Sequence, residues 1–331
     1  MKTKFFSLIA ALAAAVAIHA QQISVVSPSG ETKIFTDLNL AIQSVQEAGS
    51  TIYLSGGNGF QVNDTTKIKK KLTIIGIGHR PDNDNADGST SVSGNFWFEG
   101  GSDGSAVMGL YLSGDVNIGT ADNAVNNFLL RYCNINTVQV KNSNCQGITI
   151  NQNYLRGISS CGNAPVTFSN NILNGIYSVM GGVINHNVIR GKIGDSLSGY
   201  GKSAVGEVIN CQINNNICFT NNYWWCTNCT FDSNMATWAV GGDNMNAVVV
   251  DSWDDVFEGT YSGVNVDDNY ALASNQGKNK ATDGSDIGVY GGTGFRDNKL
   301  PLGPHIVSKK VADQTDASGN LSVEIKVSVE P

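Results

Sequence analysis

Along the middle of the chain, apolar and polar positions repeat one phrase: apolar, any residue, apolar, two polar residues, Asn, apolar, apolar. It reads Ile148-Thr-Ile150-Asn-Gln-Asn153-Tyr-Leu155, then Val166-Thr-Phe168-Ser-Asn-Asn171-Ile-Leu173. It returns as Gly182-Val-Ile184-Asn-His-Asn187-Val-Ile189, Cys211-Gln-Ile213-Asn-Asn-Asn216-Ile-Cys218 and Cys229-Thr-Phe231-Asp-Ser-Asn234-Met-Ala236. The marked asparagines are separated by steps of 18, 16, 29 and 18 residues. Self-similarity at this short period marks a solenoid, in which no rung can bury its apolar face without its neighbours. The alternation before each Asn has period two, so each phrase opens with a strand that has one buried face. Stacking the phrases places Ile150, Phe168, Ile184, Ile213 and Phe231 in one internal column, with strands about 4.8 Å apart. Asn153, Asn171, Asn187, Asn216 and Asn234 then form a ladder. Asn suits the bend because it tolerates the left-handed conformation, and its amide can hydrogen-bond to the next Asn in the stack. Asn134-Ile135 is a candidate sixth rung, with its upstream residues out of phase.

The flanks read differently. Residues Phe35 to Ala48 have helical spacing, with Leu38, Ile42 and Val45 on one face and Gly49 as the stop. A short amphipathic helix there caps the open end of the solenoid, which otherwise exposes unpaired strand edge. Thr51-Ile-Tyr-Leu54, a Gly-rich turn at Gly56-Gly57 and Lys71-Leu-Thr-Ile-Ile-Gly76 come next; residues 81–94 read as a polar loop and residues 95–132 as two irregular coils. Leu321 to Val329 alternates strictly and reads as a final strand, belonging either to a following module or folded back along the solenoid.

Residues 1–20 have the form of a secretory signal peptide: Lys2 and Lys4, an apolar run from Phe5 to Ile18, and small Ala20 before Gln21. The expected organisation is therefore a leader over 1–20, a solenoid over 21–307, and a C-terminal strand or the start of a further module over 308–331. Without the leader, 19 basic residues face 28 acidic ones. That balance disfavours nucleic acid and anionic lipid as partners and predicts no membrane insertion after leader removal. Charged residues make up only 15% of the chain, with Asn and Gly in their place, as suits short strands and tight turns.

The helix followed by Thr-Ile-Tyr-Leu, the run Lys71-Leu-Thr-Ile-Ile-Gly-Ile-Gly78 and the Asn ladder together resemble secreted pectin-lyase-fold proteins. The tail Asp286-Ile-Gly-Val-Tyr-Gly-Gly292, with Leu300-Pro and Gly303-Pro-His-Ile306, resembles the closing segment of β-helix proteins exported by Bacteroidetes-type bacteria. The resemblance implies an all-β, single-stranded right-handed parallel β-helix. It also implies a location outside the cell, in the periplasm or on the bacterial surface, and a poly- or oligosaccharide as partner. A monomer is expected.

Candidate chemistry is sparse. Tyr223, Trp224, Trp225, Trp238 and Trp253 fall close together beside Asp251, Asp254, Asp255 and Glu258. Flat aromatic faces can hold sugar rings, and equally can cover the end of a core. A hydrolase needs two carboxylates about 5–9 Å apart, for which Asp254 and Asp255 are raw material. A lyase acting on uronates needs a basic residue to remove a proton. Arg156 and Arg190 each follow a ladder Asn by three positions, with Lys192 and Asp195 nearby in the long 29-residue step. Asn83-Asp-Asn85-Ala-Asp87-Gly88 resembles the start of a calcium loop, but Gly94 stands where the loop's closing Glu belongs, so no metal is assigned and calcium stays an open alternative. Seven cysteines leave an odd thiol. Cys211 and Cys229 share a column on successive rungs, so either a disulfide or a buried thiol stack is open to them. The leading expectation is non-catalytic carbohydrate binding. The alternatives are a polysaccharide lyase or glycoside hydrolase, and a structural or adhesive surface module.

Overall fold

The computed structural model describes residues 22–57, 59–79, 88–191, 193, 207–219, 226–237, 244–254, 256–259, 264–273, 275–296, 304–312, 314–316 and 318–329. Residues 1–20, expected as a leader, the core of the calcium-like motif, and Lys192, Asp195, Tyr223, Trp224, Trp225, Trp238 and Asp255 lie outside these residues.

The chain winds into a parallel β-solenoid with two long sheets. The first sheet has twelve strands. It begins with Ile23–Val26, which pairs antiparallel with Thr32–Phe35 on one side and Ser50–Leu54 on the other. From Ser50–Leu54 onward every pairing in this sheet is parallel and in order along the chain. The internal column runs as the repeated phrase requires: Ile150 pairs with Phe168, Phe168 with Ile184, Ile184 with Ile213, and Ile213 with Phe231. It continues upstream through Leu130, Val107, Ile74 and Ile52. All of these are buried. Each such side chain contributes roughly 1.5–3 kcal/mol by leaving water.

The second sheet takes the strand that follows each ladder Asn, including Tyr154–Ala164, Ile172–Met180 and Val188–Ile189. The ladder itself forms. Asn153 Nδ2 donates to Asn171 Oδ1 at 3.1 Å, and the Asn171–Asn187, Asn187–Asn216 and Asn216–Asn234 links are each 3.0 Å. Each Oδ1 also accepts the backbone N–H of the preceding rung, at 2.9–3.0 Å. Spare Nδ2 protons go to carbonyls such as Leu130 and Asn151 for Asn153. The 29-residue step leaves the stack intact, since Asn187 still meets Asn216.

Several expectations are corrected. The left-handed residue is not the ladder Asn but the one before it: Gln152, Asn170, His186, Asn215 and Ser233 all have φ of 51–59°. Asn134 is out of register by one and pairs with Tyr154. Cys133 holds the rung position, and its N–H donates to Asn153 Oδ1 at 2.9 Å. The helix, α1 (Leu38–Ser44), is shorter than the 35–48 spacing suggests. Asp37 caps it by accepting the Leu40 N–H at 2.8 Å. Ser91–Ser93 is a strand rather than loop. Val323–Val329 pairs antiparallel with Pro304–Val311 as a two-stranded sheet, so the boundary expected at 307/308 falls inside a strand.

Candidate functional site

The two apolar residues after each ladder Asn have different fates. The second (Leu155, Leu173, Ile189, Cys218, Ala236) points into the solenoid. The first (Tyr154, Ile172, Val188, Ile217, Met235) points out and is buried under a second apolar cluster that includes Val256, Phe257, Tyr270, Leu272, Ile287, Val289 and Phe295. The chain after the last coil therefore turns back and covers the outer face of the second sheet.

The polar column of left-handed residues fastens this strap. Asn170 Nδ2 donates to the Val289 and Gly291 carbonyls at 2.9 and 2.8 Å, and the Arg296 N–H donates to Gln152 Oε1 at 3.0 Å. Asn215 exchanges two bonds with Thr282, at 2.9 and 2.8 Å. His186, only 2% exposed, sets Nε2 3.2 Å from Asp283 Oδ2. The Ser285 hydroxyl, assisted by its N–H and by His186, holds the Asp283 carboxyl below the ordinary carboxylate range. Gly291 and Gly292 are required here, since a Cβ on either would lie within 3 Å of the His186 ring. The sequence signal was present, as a polar residue before every ladder Asn, but only the Asn itself drew notice.

At Ser233, the next position of that column, the strap stands away and a cleft of about 920 Å³ opens. Its walls carry Ser233, Asn246, Asn275, Gln276, Asn279 and Thr282, with Lys280 the one cation among the lining residues. No carboxylate is among the described lining residues. Asp232, just behind, is engaged by Asn246 Nδ2 and the Ser233 hydroxyl, each at 3.0 Å. None of these cleft residues except Ser233 and Asn246 belongs to the repeat region, and none was singled out in the sequence.

Of the expected site residues, Arg156 and Arg190 follow the ladder on separate coils but lean apart. Arg156 reaches back to Tyr111 Oη at 2.9 Å and to the Leu112 and Ile135 carbonyls at 2.7 and 3.3 Å. Arg190 lies 4.5 Å over the Phe219 ring, which stacks on Trp253 at 4.3 Å. The structure thus brings Arg190 and Trp253 together through a residue the sequence reading passed over. Trp253 is half-buried and packed against the strap cluster, with one face taken by Phe219. Nearby Tyr270 is buried and donates to Asp268 at 3.1 Å. Burial, then the Asp268 charge, raises its phenol, so it is a donor rather than a base. Asp254 is exposed.

The chain matches no family model, no curated protein and no solved structure. Its reading therefore rests on geometry. Among the described residues no helix is long and apolar enough to cross a membrane, and no three His, Cys, Asp or Glu side chains are grouped to hold a metal ion. The seven cysteines are all free, so the disulfide considered for Cys211 and Cys229 is not formed. Instead the two thiols make a ladder of their own. The Gly182 N–H donates to Cys211 Sγ at 3.3 Å and the Cys211 N–H to Cys229 Sγ at 3.4 Å.

Proposed function

We propose that the protein is exported and binds neutral oligo- or polysaccharide in the amide-lined cleft, without turning it over. The observation that carries this reading is the lining itself. Asn246, Asn275, Gln276, Asn279, Ser233 and Thr282, with Lys280 and the apolar Ala247, Val248, Val249 and Ala281 among them, present amide and hydroxyl groups that both donate and accept, as sugar hydroxyls do. Acid–base cleavage would require a pair of carboxylates in the cleft; among the described residues none lines it, and Asp232 just behind is engaged by Asn246 and Ser233. Arg156, the base considered for uronate lysis, is spent on Tyr111 and two carbonyls and is not among the described residues of the cleft, where Lys280 is the one basic group. The basic start and apolar run of residues 1–20 support export.

Affinity electrophoresis of the full chain through a panel of neutral and uronic polysaccharides tests this. Retardation by a neutral glycan is expected, and Gln276→Ala combined with Asn279→Ala should abolish it while the circular dichroism stays β-type. Unretarded migration in every glycan removes the binding reading. New reducing ends or unsaturated-product absorbance would make the protein an enzyme instead.

A further inference from the structure

Five of the seven cysteines (Cys133, Cys145, Cys161, Cys211 and Cys218) are buried; Cys226 and Cys229 are half-exposed. These two end a parallel strand stack, with Val208 paired to Cys226 and Ile209 to Thr227. Asn228 between them is left-handed, φ 52°, which turns the chain back within the Cys-x-x-Cys segment. The Cys229 sulfur accepts the Cys211 N–H at 3.4 Å, lies 3.4 and 3.6 Å from the Val208 and Thr227 carbonyls, and sits beside the thiols of Cys226 and Cys211. Donation from those two thiols lowers the Cys229 thiol, whereas its contact with Cys229 and burial raise Cys226. Cys211, by contrast, is 1% exposed, its sulfur fixed by the Gly182 N–H and 3.3 Å from the Ile209 carbonyl.

We propose that Cys226 and Cys229 form a dithiol site that reacts with low-molecular-weight disulfides, Cys229 attacking and Cys226 resolving. The Cys229 thiolate bonds to one sulfur of the reagent. The reagent's S–S bond breaks, and the departing thiolate takes a proton from water. Cys226 then gives its proton to solvent, and its sulfur attacks Cys229 Sγ, expelling the second reagent thiolate and closing the Cys226–Cys229 bond. Two protein thiols are oxidised and one reagent disulfide is reduced to two thiols. Reactivity follows thiolate character and access, which Cys229 combines, with Cys226 three positions earlier across the Asn228 turn to resolve the mixed disulfide.

The test treats the reduced full chain with oxidised glutathione, counts thiols after unfolding, and maps linked peptides by mass spectrometry. Five of seven thiols should remain, with Cys226 joined to Cys229. Cys226→Ser should stop at one glutathione held on Cys229. Cys229→Ser should slow thiol loss at least ~10-fold. Seven surviving thiols overturn the proposal, as does a link through Cys211 or any other cysteine. Unchanged β-type circular dichroism of both serine variants, each of which retains a side-chain donor, separates loss of reactivity from loss of fold.

Discussion

The amide ladder and the thiol ladder sit at two corners of the same coil and share one backbone plan. In both, a left-handed residue precedes the rung: Gln152, Asn170, His186, Asn215 and Ser233 on one side, Asn210 and Asn228 on the other. In both, a rung's N–H donates to the side chain of the next rung, and each side chain meets the carbonyl two residues back and one on the coil below. The amide ladder runs through five asparagines, whereas the thiol ladder has two rungs and ends in the half-exposed pair. The difference lies in the groups. An amide has two donor protons and two lone pairs, enough to satisfy a carbonyl below and the next rung at once. A thiol has one weak proton and a weak acceptor, so its stack holds little and keeps a reactive sulfur.

The strongest way to break that comparison is at its centre. Asn187→Ala leaves Asn171 without its side-chain acceptor and strips donors from the Phe168 and Asn185 carbonyls and from Asn216 Oδ1. Several buried groups lose their partners, so urea unfolding should show a loss of about 3–5 kcal/mol. A loss below about 1 kcal/mol would mean that the ladder is ornament on a core held otherwise. Next comes Cys133→Asn, which extends the amide ladder by one rung above Asn153. The Cys133 sulfur already faces the Arg131 carbonyl at 3.2 Å, and burial pushes its thiol up to about 12, so a neutral donor belongs there. A gain of roughly 1 kcal/mol is expected, and destabilisation by that amount would show that the pocket fits only sulfur. Cys211→Ser should change stability by less than about 1 kcal/mol, since a hydroxyl replaces a thiol in the same bonds.

The smallest effect concerns pH. The amide ladder has no titrating group, while the strap beside it has Asp283 against His186. The carboxyl's folded value is lowered, so its contribution is complete above the ordinary value of about 3.9 and is lost as pH falls through the lowered one. Hydrogen exchange at the Gly288 N–H, which donates to the Asn215 carbonyl at 2.8 Å, should lose protection below pH ~4 after correction for intrinsic rate. Asp283→Asn should flatten that dependence. The ladder amides of Asn171 and Asn187 should not respond.

Much of the solenoid was legible because period-two alternation fixes which side chains share a column, and the Ile150-to-Phe231 column is in the register the phrase predicts. The strap was written in the same phrase and went unread. A strand apolar on both faces, as in Tyr154-Leu155 or Ile172-Leu173, has no solvent side and announces a cover. What local pattern could not supply was the partner of that outer face, because Asn170 meets its carbonyls about 120 residues later. The cleft was hidden for the same reason: Ser233 and Asn246 belong to the coils, and Asn275 to Thr282 to the returning chain. The left-handed residue was misplaced by one because Asn favours that conformation and often occupies both positions, as at 170–171 and 215–216.

The continuity of the amide links across the 29-residue step has a consequence for how such a chain can change. Asn187 and Asn216 bond at 3.0 Å as if the intervening segment had the length of any other coil. Closing a longer excursion adds only about 0.6 kcal/mol per doubling of its length. The connection between Ile193 and Val208 can therefore take new segments at a cost that grows only slowly with their length, and a graft between residues 193 and 207 would leave the amide links on either side in register.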